Sequence, residues 1–137
     1  MTLGGEDCRV IFRNIQVASL DNAEININLN LVRHWDMVGK GVVETVCSDA
    51  LNHNMALCLH SSYKYIGIEQ AKNYSVRKDD LLRGSLFLKG TVNEARIQLL
   101  DGKEIVSEKT IQGISDVWKE FAVELPSRKD VLQGTLR

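Results

Sequence analysis

The clearest pattern in the chain is the alternation Glu24, Ile25, Asn26, Ile27, Asn28, Leu29, Asn30, Leu31. Successive side chains of an extended strand point to opposite faces, so this period of two sends Ile25, Ile27, Leu29 and Leu31 toward a core and the three asparagines away from it. Apolar-rich runs of strand length recur along the chain: Val10 to Val17, Gly41 to Cys47, Met55 to His60, Tyr65 to Glu69, Leu82 to Lys89, Glu94 to Leu100, Glu104 to Ile111 and Val117 to Leu125. Many short strands at close spacing predict an all-β fold, a two-sheet antiparallel β-sandwich of jelly-roll-like form with about seven or more strands. The single proline, Pro126, ends the last run, and no Pro/Ser-rich linker or repeat divides the chain, so 1–137 reads as a single β-sandwich domain.

Between two of these runs stands Asp101-Gly102, a dipeptide suited to the positive φ angles of a two-residue type I′ hairpin. Such a turn pairs Leu100 with Lys103, sets Ile97 opposite Val106 and Gln98 opposite Ile105, and turns the face bearing Ile97 and Leu99 inward. No segment of helical length carries an apolar stripe at 3.6-residue spacing. The stretch Ser127 to Gln133 is the best candidate for a short helical turn.

Composition narrows the function classes. Among 137 residues, 44% are hydrophobic and 26% charged, the balance of a globular domain large enough to close one core. The 17 basic and 18 acidic residues are scattered, which leaves no basic stripe for nucleic acid, and no apolar run is long enough to span a bilayer. The first nine residues lack the basic start and apolar stretch of a signal peptide, so secretion would require a signal already removed. Cys8, Cys47 and Cys58 are odd in number and lack CxxC spacing, which argues against a full disulfide framework or a zinc site; Cys47 and Cys58 fall in apolar strand-like runs and read as packing residues, with one bridged pair as the alternative.

The residues of catalysis do not assemble in sequence. No nucleophile elbow or cysteine-protease signature surrounds any Ser or Cys, and His34, His53 and His60 lack the spacing of a helical metal-binding pair. Asp79 and Asp80 are adjacent and read as a charged turn rather than a catalytic pair, because neighbours on an extended chain point apart. Asn73-Tyr74-Ser75 fits the N-glycosylation acceptor pattern. The expectation is a non-catalytic domain, without cofactor or metal.

A set of motifs points further: Tyr65-Ile66-Gly67-Ile68, Tyr74-Ser75-Val76, Leu86-Phe87-Leu88-Lys89-Gly90, Ile97-Gln98-Leu99 and Val117-Trp118-Lys119-Glu120-Phe121. This series, over roughly Met55 to Pro126, resembles the carbohydrate-binding-module-like β-sandwich attached to α-L-arabinofuranosidases and related glycoside hydrolases. The chain departs from that pattern at Lys64 and Ile66, where those modules carry Gly and Trp. The resemblance implies that Tyr74 and Trp118 are core positions, and that the domain is a glycoside hydrolase accessory domain recognising a polysaccharide or oligosaccharide, with a linked catalytic domain as neighbour.

Sugar recognition on a sheet combines a ring that covers the apolar face of a saccharide with amides and charges that bond its hydroxyls. The candidate carbohydrate-binding residues are therefore Trp35, Tyr63 and Tyr65 with the row Asn26, Asn28 and Asn30. The alternative is a structural or protein-interaction β-sandwich that docks a partner chain by the same polar face or a strand edge.

Overall fold

The computed structural model describes residues 2–4, 8–19, 35–46, 56–63 and 65–137. The alternation at Glu24 to Leu31, with Asn26, Asn28 and Asn30, lies outside the described residues, as do Cys47, His34 and His53. Eleven strands are described: β1 (Thr2–Gly4), β2 (Cys8–Ser19), β3 (Asp36–Gly39), β4 (Val42–Val46), β5 (Ala56–Ser61), β6 (Tyr65–Val76), β7 (Leu81–Gly90), β8 (Glu94–Asp101), β9 (Glu104–Gln112), β10 (Lys119–Pro126) and β11 (Val131–Leu136). The protein is all-β, built of antiparallel sheets, and no helix occurs among the described residues.

One sheet runs β10-β7-β2-β5-β4. The other contains β6, β11, β8 and β9 in that order, with β3 on the far side of β6 and β1 between β6 and β8. The slot between β6 and β8 is thus filled by two strands lying end to end. Leu136 of β11 pairs with Gln70 and Thr2 of β1 pairs with Gly67, both on β6. On β8, Arg137 exchanges backbone bonds with Gln98 while Thr2 pairs with Arg96.

Apolar residues at alternate positions of both sheets form one cluster. Leu59, Leu82, Leu86, Leu88, Val123 and Leu125 of the first sheet join Ile66, Ile68, Tyr74, Ile97, Leu99 and Val131 of the second. Burial of these side chains supplies the main driving force for the fold. Tyr74 belongs to this cluster, and its hydroxyl donates to Gln70 Oε1 at 2.7 Å. Burial disfavours the phenolate and pushes this pKa up from 10.0 to about 12.

Three expectations need correction. The hairpin turns one residue later than Asp101-Gly102: Asp101 pairs with Glu104, and Gly102-Lys103 form the loop. Gly102 has φ +61° while Lys103 does not enter positive φ, the pattern of a type II′ rather than a type I′ turn. Leu100 then pairs with Ile105 and Leu99 with Ser107, so Val106 is an extra, bulged residue, and Ile97 faces Lys109. Second, Ser127 to Gln133 is not helical: a bend leads into β11. Its backbone is tied to the β6–β7 turn by Asp79 N–H on the Ser127 carbonyl at 2.9 Å and Ser127 N–H on the Asp80 carbonyl at 2.8 Å. In that turn Asp79 adopts φ +69° and Asp80 Oδ2 accepts the Arg77 N–H, the charged turn expected of the pair.

The third correction concerns Trp118, which does not enter the shared cluster. It is partly buried and packs with Ala56 and Cys58 in a separate small group. Ala56 and Cys58 alternate with Leu57 and Leu59 along β5, so this group sits on the opposite face of the β5 sheet from the shared cluster.

Candidate functional site

The face of the β6 sheet turned away from the shared cluster carries polar residues in register. Asp36 of β3 pairs with Glu69 of β6. Arg137 donates to Glu69 Oε2 from Nε at 2.9 Å and from Nη2 at 2.7 Å. Its backbone pairs with Gln98, whose side-chain amide donates to the Glu108 carboxylate directly opposite on β9. The result is one transverse row, Asp36, Glu69, Arg137, Gln98 and Glu108. With strands about 4.8 Å apart, four strands and the residue that follows β11 carry it roughly 19 Å across the sheet.

The next outward positions along the strands are Gly67, Thr2 and Arg96. Gly67 pairs with both Val38 and Thr2, and Thr2 pairs with Arg96. Beyond them Tyr65 and Glu94 flank Gly4, and Glu94 accepts from Arg96 Nε at 2.9 Å. That bond holds the Arg96 guanidinium above its ordinary pKa. Ion pairs this exposed add little to stability, so their main effect is to hold side chains in fixed places.

Tyr65 is 49% exposed and Tyr63 is 55% exposed, and both stand at the connection between β3 and β4. That connection passes from one sheet to the other through only Lys40 and Gly41. The Tyr65 ring lies against Gly39, where an added Cβ would sit 3.0 Å from two ring carbons and 2.5 Å from the Tyr65 carbonyl oxygen. Gly39 also holds φ +89°, a conformation glycine adopts at little cost. The neighbouring Lys40 ammonium lies 5.5 Å from the Tyr63 ring centroid. Ser61 braces the corner by donating its hydroxyl to the Lys40 carbonyl and accepting the Tyr63 N–H at 3.0 Å. The two tyrosines are thus held at one corner while about half of each stays open to solvent.

Of the residues expected at a sugar site, the structure brings Tyr63 and Tyr65 together. Trp35, just before β3, is partly buried and packs on the shared cluster, so its ring serves the core rather than the open face. Asn26, Asn28 and Asn30 lie outside the described residues. Sequence reasoning missed Asp36, Glu69, Arg137, Gln98 and Glu108. Local signals existed for two of them: Gln98 interrupts Ile97 and Leu99, and Glu69 follows Ile68 in strand alternation.

Other candidate chemistry is placed as follows. His60 is exposed on β5, and Cys58 is fully buried beneath Trp118. Asn73 is exposed, but Tyr74 next to it is buried in mid-strand, so the acceptor triplet lies in β6 and not in a loop. Among the described residues, no group of three or more His, Cys, Asp or Glu stands close enough to hold a metal ion. The face offers an aromatic surface at one end, then carboxylate acceptors and guanidinium donors in fixed positions. Searches of protein-family models, curated proteins and solved structures return no match to this chain.

Proposed function

We propose that the chain is a non-catalytic carbohydrate-binding module, a two-sheet β-sandwich of jelly-roll type that recognises a polysaccharide or oligosaccharide on the open face of the β6 sheet. The observation that carries this reading is the Tyr65 ring, seated on Gly39 and half exposed, on the same face as the transverse polar row and four residues along β6 from its Glu69. A rigid ring of this kind covers the apolar face of a sugar at low entropic cost. Glu69, Arg137 and Glu108 then bond its hydroxyls. The resemblance of Met55 to Pro126 to accessory modules of arabinofuranosidases supports the same reading, and a catalytic domain linked to this chain would be its natural neighbour.

A second reading draws on a different feature. Leu132 is 81% exposed on β11 and Ile105 is 51% exposed on β9, away from the tyrosine corner, which favours docking of a protein chain. Affinity electrophoresis through gels containing arabinoxylan, cellulose derivative or β-glucan tests the proposal. Retardation in at least one gel is expected. Migration unchanged in all three overturns the carbohydrate reading and leaves the protein-docking one.

A further inference from the structure

On the open face around Tyr65, four carboxylates, Asp36, Glu69, Glu94 and Glu108, stand against two guanidinium groups, Arg96 and Arg137. Both guanidinium groups are already engaged by carboxylates of the same face, Arg137 by Glu69 at 2.7 Å and Arg96 by Glu94 at 2.9 Å. At the corner, the Lys40 ammonium is engaged over the Tyr63 ring. The amide of Gln98, a donor that could meet an anion, is turned to Glu108.

From this arrangement we infer that the ligand is a neutral saccharide chain and that uronate-bearing polymers are refused, an inference that rests on the carbohydrate reading above. A uronate carboxylate arriving at the face meets a surplus of like charge. Any charge-assisted bond it makes to the remaining N–H groups of Arg137, Arg96 or Lys40 is offset by repulsion from Glu69, Glu94 and the other carboxylates of the face. A neutral sugar meets no such repulsion. Its hydroxyls donate to the carboxylate oxygens and accept from guanidinium N–H groups not directed at glutamate, so the existing ion pairs stay in place while both partners gain bonds. Selection therefore comes from the balance of fixed charge and not from shape, and it is sensitive to ionic strength.

The test is isothermal titration calorimetry of the whole chain with arabinoxylan, β-glucan and polygalacturonate at low and high sodium chloride. Expected is binding of at least one neutral polymer, with affinity changed by less than about twofold by salt and polygalacturonate about tenfold or more weaker at low salt. The double variant Asp36→Asn with Glu108→Gln removes two of the four carboxylates and is expected to narrow the ratio of neutral to uronate affinity at least about threefold. Polygalacturonate bound as tightly as the neutral polymers, or a ratio unmoved in the double variant, overturns the inference and leaves the carbohydrate reading intact. No heat with any of the three polymers overturns that reading, and this inference with it.

Discussion

The two sheets turn very different faces away from the core they share. On the β6 sheet the outward positions include Glu69, Arg137, Gln98 and Glu108, joined across strands by an ion pair and an amide bond, with half-exposed Tyr65 farther along β6. On the β5 sheet the outward positions include Ala56 and Cys58, both buried, with Trp118 packed on them and the Lys89 ammonium 5.7 Å from its ring centroid. Two aromatic residues of similar prominence in the sequence therefore serve opposite ends. Trp118 seals a face, whereas Tyr65 leaves one open. The lesson is that an aromatic ring stays exposed on a sheet only when its neighbours across the strands are small or polar. Around Tyr65 those neighbours are Gly4 and Gly39; around Trp118 they are apolar and buried.

This contrast can be broken most severely through the core beneath both faces. Leu99→Ala removes a fully buried side chain from the shared cluster and is expected to cost about 2–5 kcal/mol in denaturant unfolding. A loss below about 1 kcal/mol would mean that the two sheets do not share that core.

Trp118→Ala sharpens the comparison at the closed face. Its ring is only partly buried, so the expected loss is roughly 2 kcal/mol, less than for a fully buried aromatic. Saccharide binding should be retained. Loss of binding without loss of stability would transfer the site to the wrong sheet.

The Tyr74 hydroxyl lies in the core of the open-faced sheet and offers a pH test. Its pKa is raised to about 12 by burial, above the ordinary 10.0. A proton held more tightly in the folded than in the unfolded state contributes stability fully below pH 10, lost as the pH rises through 12. The contribution is roughly 2 to 3 kcal/mol. Tyr74→Phe, which also leaves Gln70 Oε1 without its donor, should be less stable than the parent near neutrality by about 1 kcal/mol. That difference should vanish or reverse by the alkaline end of the range, as followed by unfolding at a series of pH values. A constant difference across the range would place the hydroxyl in solvent.

The smallest effect belongs to the β8–β9 turn. A Cβ at Gly102 meets nothing within 4 Å, so Gly102→Val carries only the strain of φ +61°, about 1 kcal/mol or somewhat more. An unchanged melting temperature would contradict the turn.

Strand content was legible because alternation is local. The runs Leu82 to Lys89, Glu94 to Leu100 and Glu104 to Ile111 each fall within one strand, and the inward positions Leu86, Leu88, Ile97 and Leu99 are those that alternation selects. The hairpin register was not legible. Placing it one residue later depends on Gly102 alone taking positive φ, and the Val106 bulge then resets the strand so that Val106 is buried while Ile105 is exposed.

The second half of β6 was also hidden. Lys72 adopts φ +60° there, and this irregularity breaks the alternation before Tyr74 and Val76 resume it. The candidate site was half legible. Tyr63 and Tyr65 announce themselves as polar-tipped rings near a strand start. The row from Asp36 to Glu108 is assembled from β3, β6, β8 and β9 together with Arg137, and only their long-range register brings these residues side by side.

The central claim is that the face bearing Tyr65, and not the face bearing Trp118, meets the saccharide. Calorimetric titration of Tyr65→Ala and Trp118→Ala with the best-retarding polysaccharide measures this directly. The account predicts that Tyr65→Ala loses about 1–3 kcal/mol of binding with its melting temperature nearly unchanged, while Trp118→Ala is destabilised yet binds as the parent does. Full binding by Tyr65→Ala together with its loss in folded Trp118→Ala would contradict it.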